Sequence, residues 1–297
     1  MTHHISPRPV VVGYDGSATA DAAVDWAARA AVHAGAPLVV LHAADRITYA
    51  HDVSVGLWKP DRVHEAARAV AARGVDRARA AAPEVVADVA SSLVGPALAL
   101  DEASTGAAMV VVGSHGRGRV RGALLGATAY AVSGHARCPV VVVREGDAEV
   151  PGPDHRIVVG SDGSVGADRA VDSAADLAAS YGAELHIVTS WHPPHPDPWD
   201  LPPVGYSSTA EAVKDRQDGA ERTAKDAAAR VTAKHPDLVV TTETPEDRPE
   251  DALLKAAEGA SIVVVGSRGH GALAGLMLGS TSRAVLHHTR MPVMIVH

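Results

Sequence analysis

Met109-Val110-Val111-Val112-Gly113-Ser114-His115-Gly116 is followed, nine residues after Gly116, by Gly126, and Ile262-Val263-Val264-Val265-Gly266-Ser267-Arg268-Gly269 is followed, nine residues after Gly269, by Gly279. Each copy is a short apolar run that empties through glycines toward a helical pattern. A strand that ends this way turns several backbone N–H groups toward one point at a helix N-terminus, where they can hold a phosphate. The chain therefore reads as two nucleotide-binding domains in tandem.

The repeat reaches well beyond the loop. Val10-Val11-Val12-Gly13-Tyr14-Asp15-Gly16-Ser17 returns as Ile157-Val158-Val159-Gly160-Ser161-Asp162-Gly163-Ser164, an offset of 147 residues, whereas Gly113 to Gly266 is an offset of 153. Cys138-Pro139-Val140 to Met291-Pro292-Val293 repeats the offset of 153. The second half thus carries about six further residues between its second and third strands and is otherwise collinear, the mark of a duplicated domain and not of a solenoid. The 297 residues suit two domains, 1–146 and 155–297, joined by an acidic, Pro/Gly-rich linker at 147–154 within the stretch Glu145 to Asp154.

Along the first half the pattern predicts strand 1 over Pro9 to Tyr14 and helix 1 from Ala18 to Ala34, with Ser17 as N-cap and Gly35 as stop. Strand 2 follows at Leu38 to Ala43, helix 2 at Asp61 to Ala81, strand 3 at Glu84 to Ser91, and a short helix after Pro96. Strand 4 (Met109 to Val112), the glycine loop, helix 4 (Ala127 to His135) and strand 5 (Pro139 to Val143) complete the unit. The second half repeats it, with strands near Ile157, Leu185, Leu238, Ile262 and Pro292. Apolar runs of four to six residues between helical patterns indicate a parallel sheet covered on both faces. Right-handed crossovers then make each half an α/β doubly wound domain whose ligand sits beyond the carboxyl ends of the strands. If strands 1 and 4 are neighbours, Asp15 and the glycine loop face one crevice.

Composition narrows the function classes. A net charge of −8 argues against a general nucleic-acid binder, which needs a basic face. One cysteine excludes an internal disulfide framework and suits a reducing compartment. No charged segment followed by a short apolar core marks a leader, and no apolar stretch is long enough to span a membrane, so a soluble cytoplasmic protein without membrane partners is expected. No Phe is present, so Val, Leu, Ile and Ala must fill the cores.

Several enzyme classes are disfavoured. There is no G-x-x-x-x-G-K-[ST] segment and no G-x-S-x-G elbow, and the clustered glycines follow strand 4 without the G-x-G-x-x-G spacing of a dehydrogenase. No base is placed to activate water, so fast ATP hydrolysis is not expected. Cys138 precedes Pro139 at the start of a buried strand and reads as a packed thiol. His192-Pro193-Pro194-His195 has metal-like spacing without a partner cluster, and His64-Glu65 lacks the second histidine of a metalloprotease helix.

The spacing of glycine, two residues, glycine, nine residues, glycine and then Ser or Thr resembles the universal stress proteins in their tandem, ATP-binding form. The second half matches it in full through Gly266, Gly269, Gly279 and Ser280, and the first through Gly113, Gly116 and Gly126, with Ala127 where the hydroxyl should stand. The family's strand 1 aspartate is present twice, as Asp15 and Asp162. The resemblance covers almost the whole chain. It implies two flavodoxin-like domains, each with a five-stranded parallel sheet in the order 3-2-1-4-5, binding ATP, with Mg as the candidate metal, in a cytoplasmic stress-response regulator and not a fast enzyme.

Site roles follow residue by residue. Glycines 113, 116 and 126 would let the backbone take unusual angles and approach phosphate oxygens. Asp15 and Asp162 would accept from ribose hydroxyls or help hold a divalent cation. The backbone near Ala43 and Ser190 would read the adenine edge, and Ser280 would donate to a phosphate oxygen. The remaining candidate contacts are Gly13, Ser114, His115, Arg117, Gly118, Arg119 and Thr128 in the first half, and Gly160, Ser267, Arg268, His270, Gly271 and Thr281 in the second. Arg117, Arg119 and Arg121 could offset the hydroxyl missing at Ala127, although they also suit a solvated loop face. Asp15-Gly16-Ser17 also reads as a mere turn and cap, and the glycine loop as a tight connection. The competing function is a slow Mg-dependent ATPase or nucleotidyl transferase. Binding in one domain only, with the other as structural partner, is a third reading. Universal stress protein dimers often pair through strand 5, so Val140 to Val143 and Val293 to Val296 are expected at a pseudo-twofold pairing inside the chain, with a homodimer of the whole chain open and a protein partner unknown. Asp45 to Pro60 and Trp191 to Ser208, with Trp58, Trp191 and Trp199, would cover the adenosine or meet a partner.

Overall fold

The computed structural model describes residues 7–44, 60–117, 125–146, 149–194, 203–270 and 278–297. Trp58, Trp199, Gly118, Arg119, Arg121, Gly271 and His195 lie outside them. The chain divides into two compact units, Met1–Val150 with Arg290–Ile295 and His297, and Pro151–Thr289 with Val296.

In the first unit the elements are β1 (Val10–Gly13), α1 (Ala18–His33), β2 (Leu38–Ala43), α2 (Pro60–Ala81), β3 (Ala87–Ser92), α3 (Pro96–Ser104), β4 (Met109–Gly113), α4 (Ala127–His135) and β5 (Val140–Val143). They form a parallel sheet in the order β3-β2-β1-β4-β5. Val10 stands beside Leu38 on one side and Met109 on the other, so β1 and β4 are neighbours and their carboxyl ends open together. Val10, Val12, Val110, Val111, Val140 and Val141 are almost fully buried, at about 1.5–3 kcal/mol of transfer energy for each such side chain. The β-branched side chains suit a strand covered on both faces.

Helix α1 follows from its alanines, which favour helix and present a low surface. Ser17 caps it by accepting from the Ala20 N–H at 3.3 Å, and Trp26 is buried with no exposed surface. Because Ala20, Ala23, Ala27, Ala30 and Ala31 form the buried stripe, α1 packs close on β1 and β4. The strand at 293–296, β10, runs antiparallel to β5 with Val293 opposite Val142 and Ile295 opposite Val140, the two segments that the sequence assigns to a strand 5 pairing.

The second unit repeats the plan with β6 (Arg156–Gly160), α5 (Val165–Tyr181), β7 (Glu184–Val188), α6 (Thr209–Lys234), β8 (Val240–Glu243), α7 (Pro249–Ala256), β9 (Ile262–Gly266) and α8 (Ser280–His288). Its strands are parallel in the order β8-β7-β6-β9. Where Ser114 N–H donates to the Val143 carbonyl at 2.7 Å, Ser267 N–H donates to that of Val296 at 2.6 Å. The extra residues enter between the second and third strands as the offsets require, and α6 has 26 residues against 22 in α2.

Third strands start later than the sequence suggests. β3 begins at Ala87 instead of Glu84, and β8 at Val240, not near Leu238. In both places a turn comes first: Val85 N–H donates to the Ala82 carbonyl and Leu238 N–H to that of His235. The turn uses the residues that a strand would have paired.

Candidate functional site

At the carboxyl end of each sheet lies a cavity, about 280 Å³ in the first unit and about 220 Å³ in the second. Gly13, Asp15, Ala43, Gly113, His115, Gly116, Gly126, Ala127 and Thr128 all line the first. Gly160, Asp162, Ser190, Gly266, Arg268, Gly269, His270, Gly279, Ser280 and Thr281 line the second. The two copies of the motif are thus brought to equivalent crevices.

The aspartates do more than face the loop. Asp15 Oδ1 accepts from the Ser17 N–H at 2.9 Å and its Oδ2 from the Arg117 N–H at 3.0 Å. Asp162 repeats both bonds, with Ser164 N–H at 2.9 Å and His270 N–H at 3.2 Å. Each carboxylate straps the turn after the first strand to the glycine loop, with one oxygen on each. Asp15-Gly16-Ser17 is therefore a turn and a helix cap, as the blander reading holds, and Asp15 also lines the cavity.

The unusual backbone angles expected at the loop glycines are absent. None of 113, 116 and 126 has positive φ; among the neighbouring residues that conformation belongs to Gly16 at 78° and Gly163 at 76°, which make the turn after the aspartate. What excludes a side chain is crowding. A Cβ on Gly113 would stand 2.7 Å from the Thr19 carbonyl carbon, and one on Gly266 2.8 Å from the Gly166 oxygen, so these glycines admit α1 and α5 against the sheet. A Cβ on Gly116 would meet Asp15 Oδ2 at 2.7 Å, and one on Gly269 would strike Asp162 Oδ2.

Beyond the loops, α4 and α8 start at Gly126 and Gly279 with no side chain capping the first turn. Their leading N–H groups border the cavities and carry the positive end of the helix dipole. Gly126 N–H donates to the Ser114 carbonyl at 2.7 Å and Gly279 N–H to that of Ser267 at 2.8 Å, which closes each loop. Ser114 and Ser267 are buried supports of this closure and not part of the cavity lining. The Arg117 guanidinium lies over the Gly16 turn, 3.0 Å from where a Cβ there would stand, and outside the lining, whereas its counterpart His270 lines the second cavity.

Some residues at the site carry no motif signal. Leu100 and Leu253 close the apolar wall against Gly13 and Gly160, and a Cβ on either glycine would meet a leucine methyl at 3.0 Å. Tyr14 and His42 line the first cavity, and His42 Nδ1 sits 2.7 Å from the Tyr14 carbonyl oxygen. Their equivalents are Ser161 and Thr189. A polar residue at the end of a strand was the available signal, and the repeat hides it because the two halves differ there. Cys138 is buried away from both cavities, and burial pushes its thiol up to about 11, so it is not a thiolate at neutral pH.

The sequence model of the universal stress protein family matches residues 7–144 and 155–297. The chain belongs to the universal stress protein family. A universal stress protein of Mycobacterium bovis is 36% identical over 295 residues, 96% of each chain, and one of Mycobacterium tuberculosis is 30% identical over 305 residues, 99% of this chain and 98% of its own. Both have the tandem length. The crystal structure of a universal stress protein from Archaeoglobus fulgidus covers 97% of this chain at a TM-score of 0.69 and 21% identity, a likeness of fold. As a universal stress protein of two domains, the chain carries the 3-2-1-4-5 parallel order that the motif implied. Among the described residues no helix is long and apolar enough to cross a membrane.

Proposed function

We propose that the protein binds ATP, or another adenine nucleotide, in each cavity and acts as a stress-response regulator through the conformation that the bound nucleotide selects. One observation carries this reading: the same uncapped helix start, glycine loop and strapping aspartate surround a cavity in both halves. Amides of the loop and of the first turns of α4 and α8 suit a polyphosphate, since they offer fixed donors in a positive field. Gly116, Gly269 and their neighbours would hold the phosphates, Ser280, Thr281 and Thr128 would donate hydroxyls, and the strand ends at Ala43 and Ser190 would meet the base.

Asp15 and Asp162 each keep a second lone pair on both oxygens, enough to accept a ribose hydroxyl or share a nucleotide-bound Mg ion. Arg117 would add attraction at the first cavity, and Arg119, as the sequence suggests, would do the same. Regulation is favoured over catalysis because both aspartates that line the cavities are already engaged by backbone amides. A soluble cytoplasmic protein that leaves nucleic acid and membrane alone fits the acidic balance.

The test is a count. Purified protein is denatured and the released nucleotide is identified and measured per chain, then measured again after saturation with Mg-ATP. Two equivalents of adenine nucleotide are expected. None, in either measurement, removes the reading. Product formation from ATP with and without Mg, lost in the Asp15→Ala, Asp162→Ala double variant, would replace the regulator by the slow enzyme.

A further inference from the structure

We propose that His42 makes the first cavity select purine ligands with an amino group on the base edge over those with a carbonyl there, a selectivity the second cavity lacks. This rests on the nucleotide reading above and names what one of the two sites recognises.

His42 lies at the end of β2, is 6% exposed, and lines the first cavity beside Ala43. Its Nδ1 is 2.7 Å from the Tyr14 carbonyl oxygen, which can only accept, so the ring proton belongs on Nδ1. In the neutral ring Nε2 is then an acceptor, and among the described residues this imidazole forms no other hydrogen bond. An acceptor fixed in a cavity wall pairs with an N–H donor of the ligand and repels a carbonyl oxygen.

The neutral form is the one the surroundings favour. Burial holds the imidazole below the usual histidine range, and Arg117 from the glycine loop and Arg73 from α2 push the same way. The Tyr14 carbonyl and Asp15, after β1, oppose them. From β3, Ser91 stands next to His42 in register, with its Oγ 3.4 Å from His64 Nε2.

The second cavity is built otherwise. At the equivalent places stand Ser161, which lines the cavity, and Thr189. Both hydroxyls are buried, and neither has a hydrogen-bond partner among the described residues. A hydroxyl rotates and both donates and accepts, so neither sets a fixed acceptor in the wall of the second cavity. One cavity is committed to a donor on the ligand, and the other is not.

The experiment titrates the full chain with ATP and with inosine triphosphate, in which a carbonyl replaces the amino group. Each cavity is isolated by closing the other with Gly269→Val or Gly116→Val. The first cavity is expected to prefer ATP by about tenfold or more, as a site built around one hydrogen bond does, and His42→Thr to bring that ratio close to the second cavity's. His42→Asn, which keeps a donor toward Tyr14, serves if the threonine variant unfolds, with the same fall in the ratio expected. Equal binding of the two nucleotides there, or a ratio unmoved by both variants, overturns the inference while leaving the nucleotide reading intact. Binding of neither nucleotide at either cavity overturns both.

Discussion

The two glycine loops solve one packing problem with different atoms. In the first unit the Thr19 hydroxyl, near the start of α1, donates to the His115 carbonyl, which the Ser17 hydroxyl also approaches at 3.4 Å. In the second, Gly166 stands in Thr19's place and the Arg268 carbonyl moves in until a Cβ there would be only 2.5 Å away. Past the loop, Ser282 Oγ donates to the Gly266 carbonyl at 2.6 Å, whereas its counterpart Ala129 can donate nothing from its side chain. Ser280 likewise faces Ala127 across the comparison. The amides strapped by Asp15 and Asp162 are the same in both. What the copies share is backbone placement, and what they exchange is hydroxyl chemistry, so the function that both halves can perform is the one that main-chain groups perform.

The comparison breaks first at the glycine nearest the strand. Gly113→Val and Gly266→Val push a branched side chain into the backbone of α1 and α5, where no side chain can give way. Overpacking of this kind costs about 3 kcal/mol, and the two variants are expected to lose similar amounts of stability in urea unfolding of the full chain. A loss below about 0.5 kcal/mol in either would show that the helix is free to retreat, and would end the case that these glycines are set by packing.

A smaller effect is expected at the straps. Asp15→Ala removes the acceptor of the Ser17 and Arg117 amides, and Asp162→Ala that of the Ser164 and His270 amides. Hydrogen bonds to a charged group are worth about 1.5–3 kcal/mol, and the loop is partly exposed, so about 1.5 kcal/mol of stability is expected from each. Amide exchange sharpens this: protection should fall at Arg117 and His270 in the respective variants. Unchanged exchange at those two amides would show that the loops hold their shape without the carboxylates.

Much of this was legible in the residues and some was not. The valine runs marked β1 and β4 and the glycine spacing marked the loop ends that follow β4 and β9, whereas the adjacency of β1 and β4 came from the family's strand order, since a doubly wound sheet admits more than one. Helix α1 was legible from Ser17, its alanines and Gly35, which takes φ of 58° as a stop should. The reason for Gly113 was not: its crowding comes from a helix that starts close in sequence to another strand, and no local pattern reports it. His42 stayed hidden for a related cause, since its cavity-facing role depends on the bond to Tyr14, 28 residues away, and the second half offers no histidine for comparison. The late starts of β3 and β8 show propensity yielding to a turn.

Supplying the missing hydroxyl tests the next rung. Ala127→Ser gives the first cavity what Ser280 gives the second, at the same step of an uncapped helix. If the hydroxyl meets a phosphate, the substitution should tighten ATP in the first cavity by about tenfold, and Ser280→Ala should weaken it in the second by a similar factor. Isothermal titration with the opposite cavity closed reads both. A change in only one direction would mean that the two helix starts meet the ligand differently.

The smallest difference expected is in salt. Arg117 is exposed, carries a permanent charge and lies over the Gly16 turn, while its counterpart His270 lines the second cavity. An exposed guanidinium attracts phosphate over a distance that salt shortens, to about 10 Å at 0.1 M and about 3 Å at 1 M. ATP affinity in the first cavity should therefore fall more steeply with added salt than in the second, by about two- to threefold, consistent with less than 1 kcal/mol for a solvated charge. Arg117→Gln should remove the excess. Equal slopes before the substitution would leave the arginine as a solvated loop residue, and the shared backbone amides would then carry the phosphate attraction of both cavities alike.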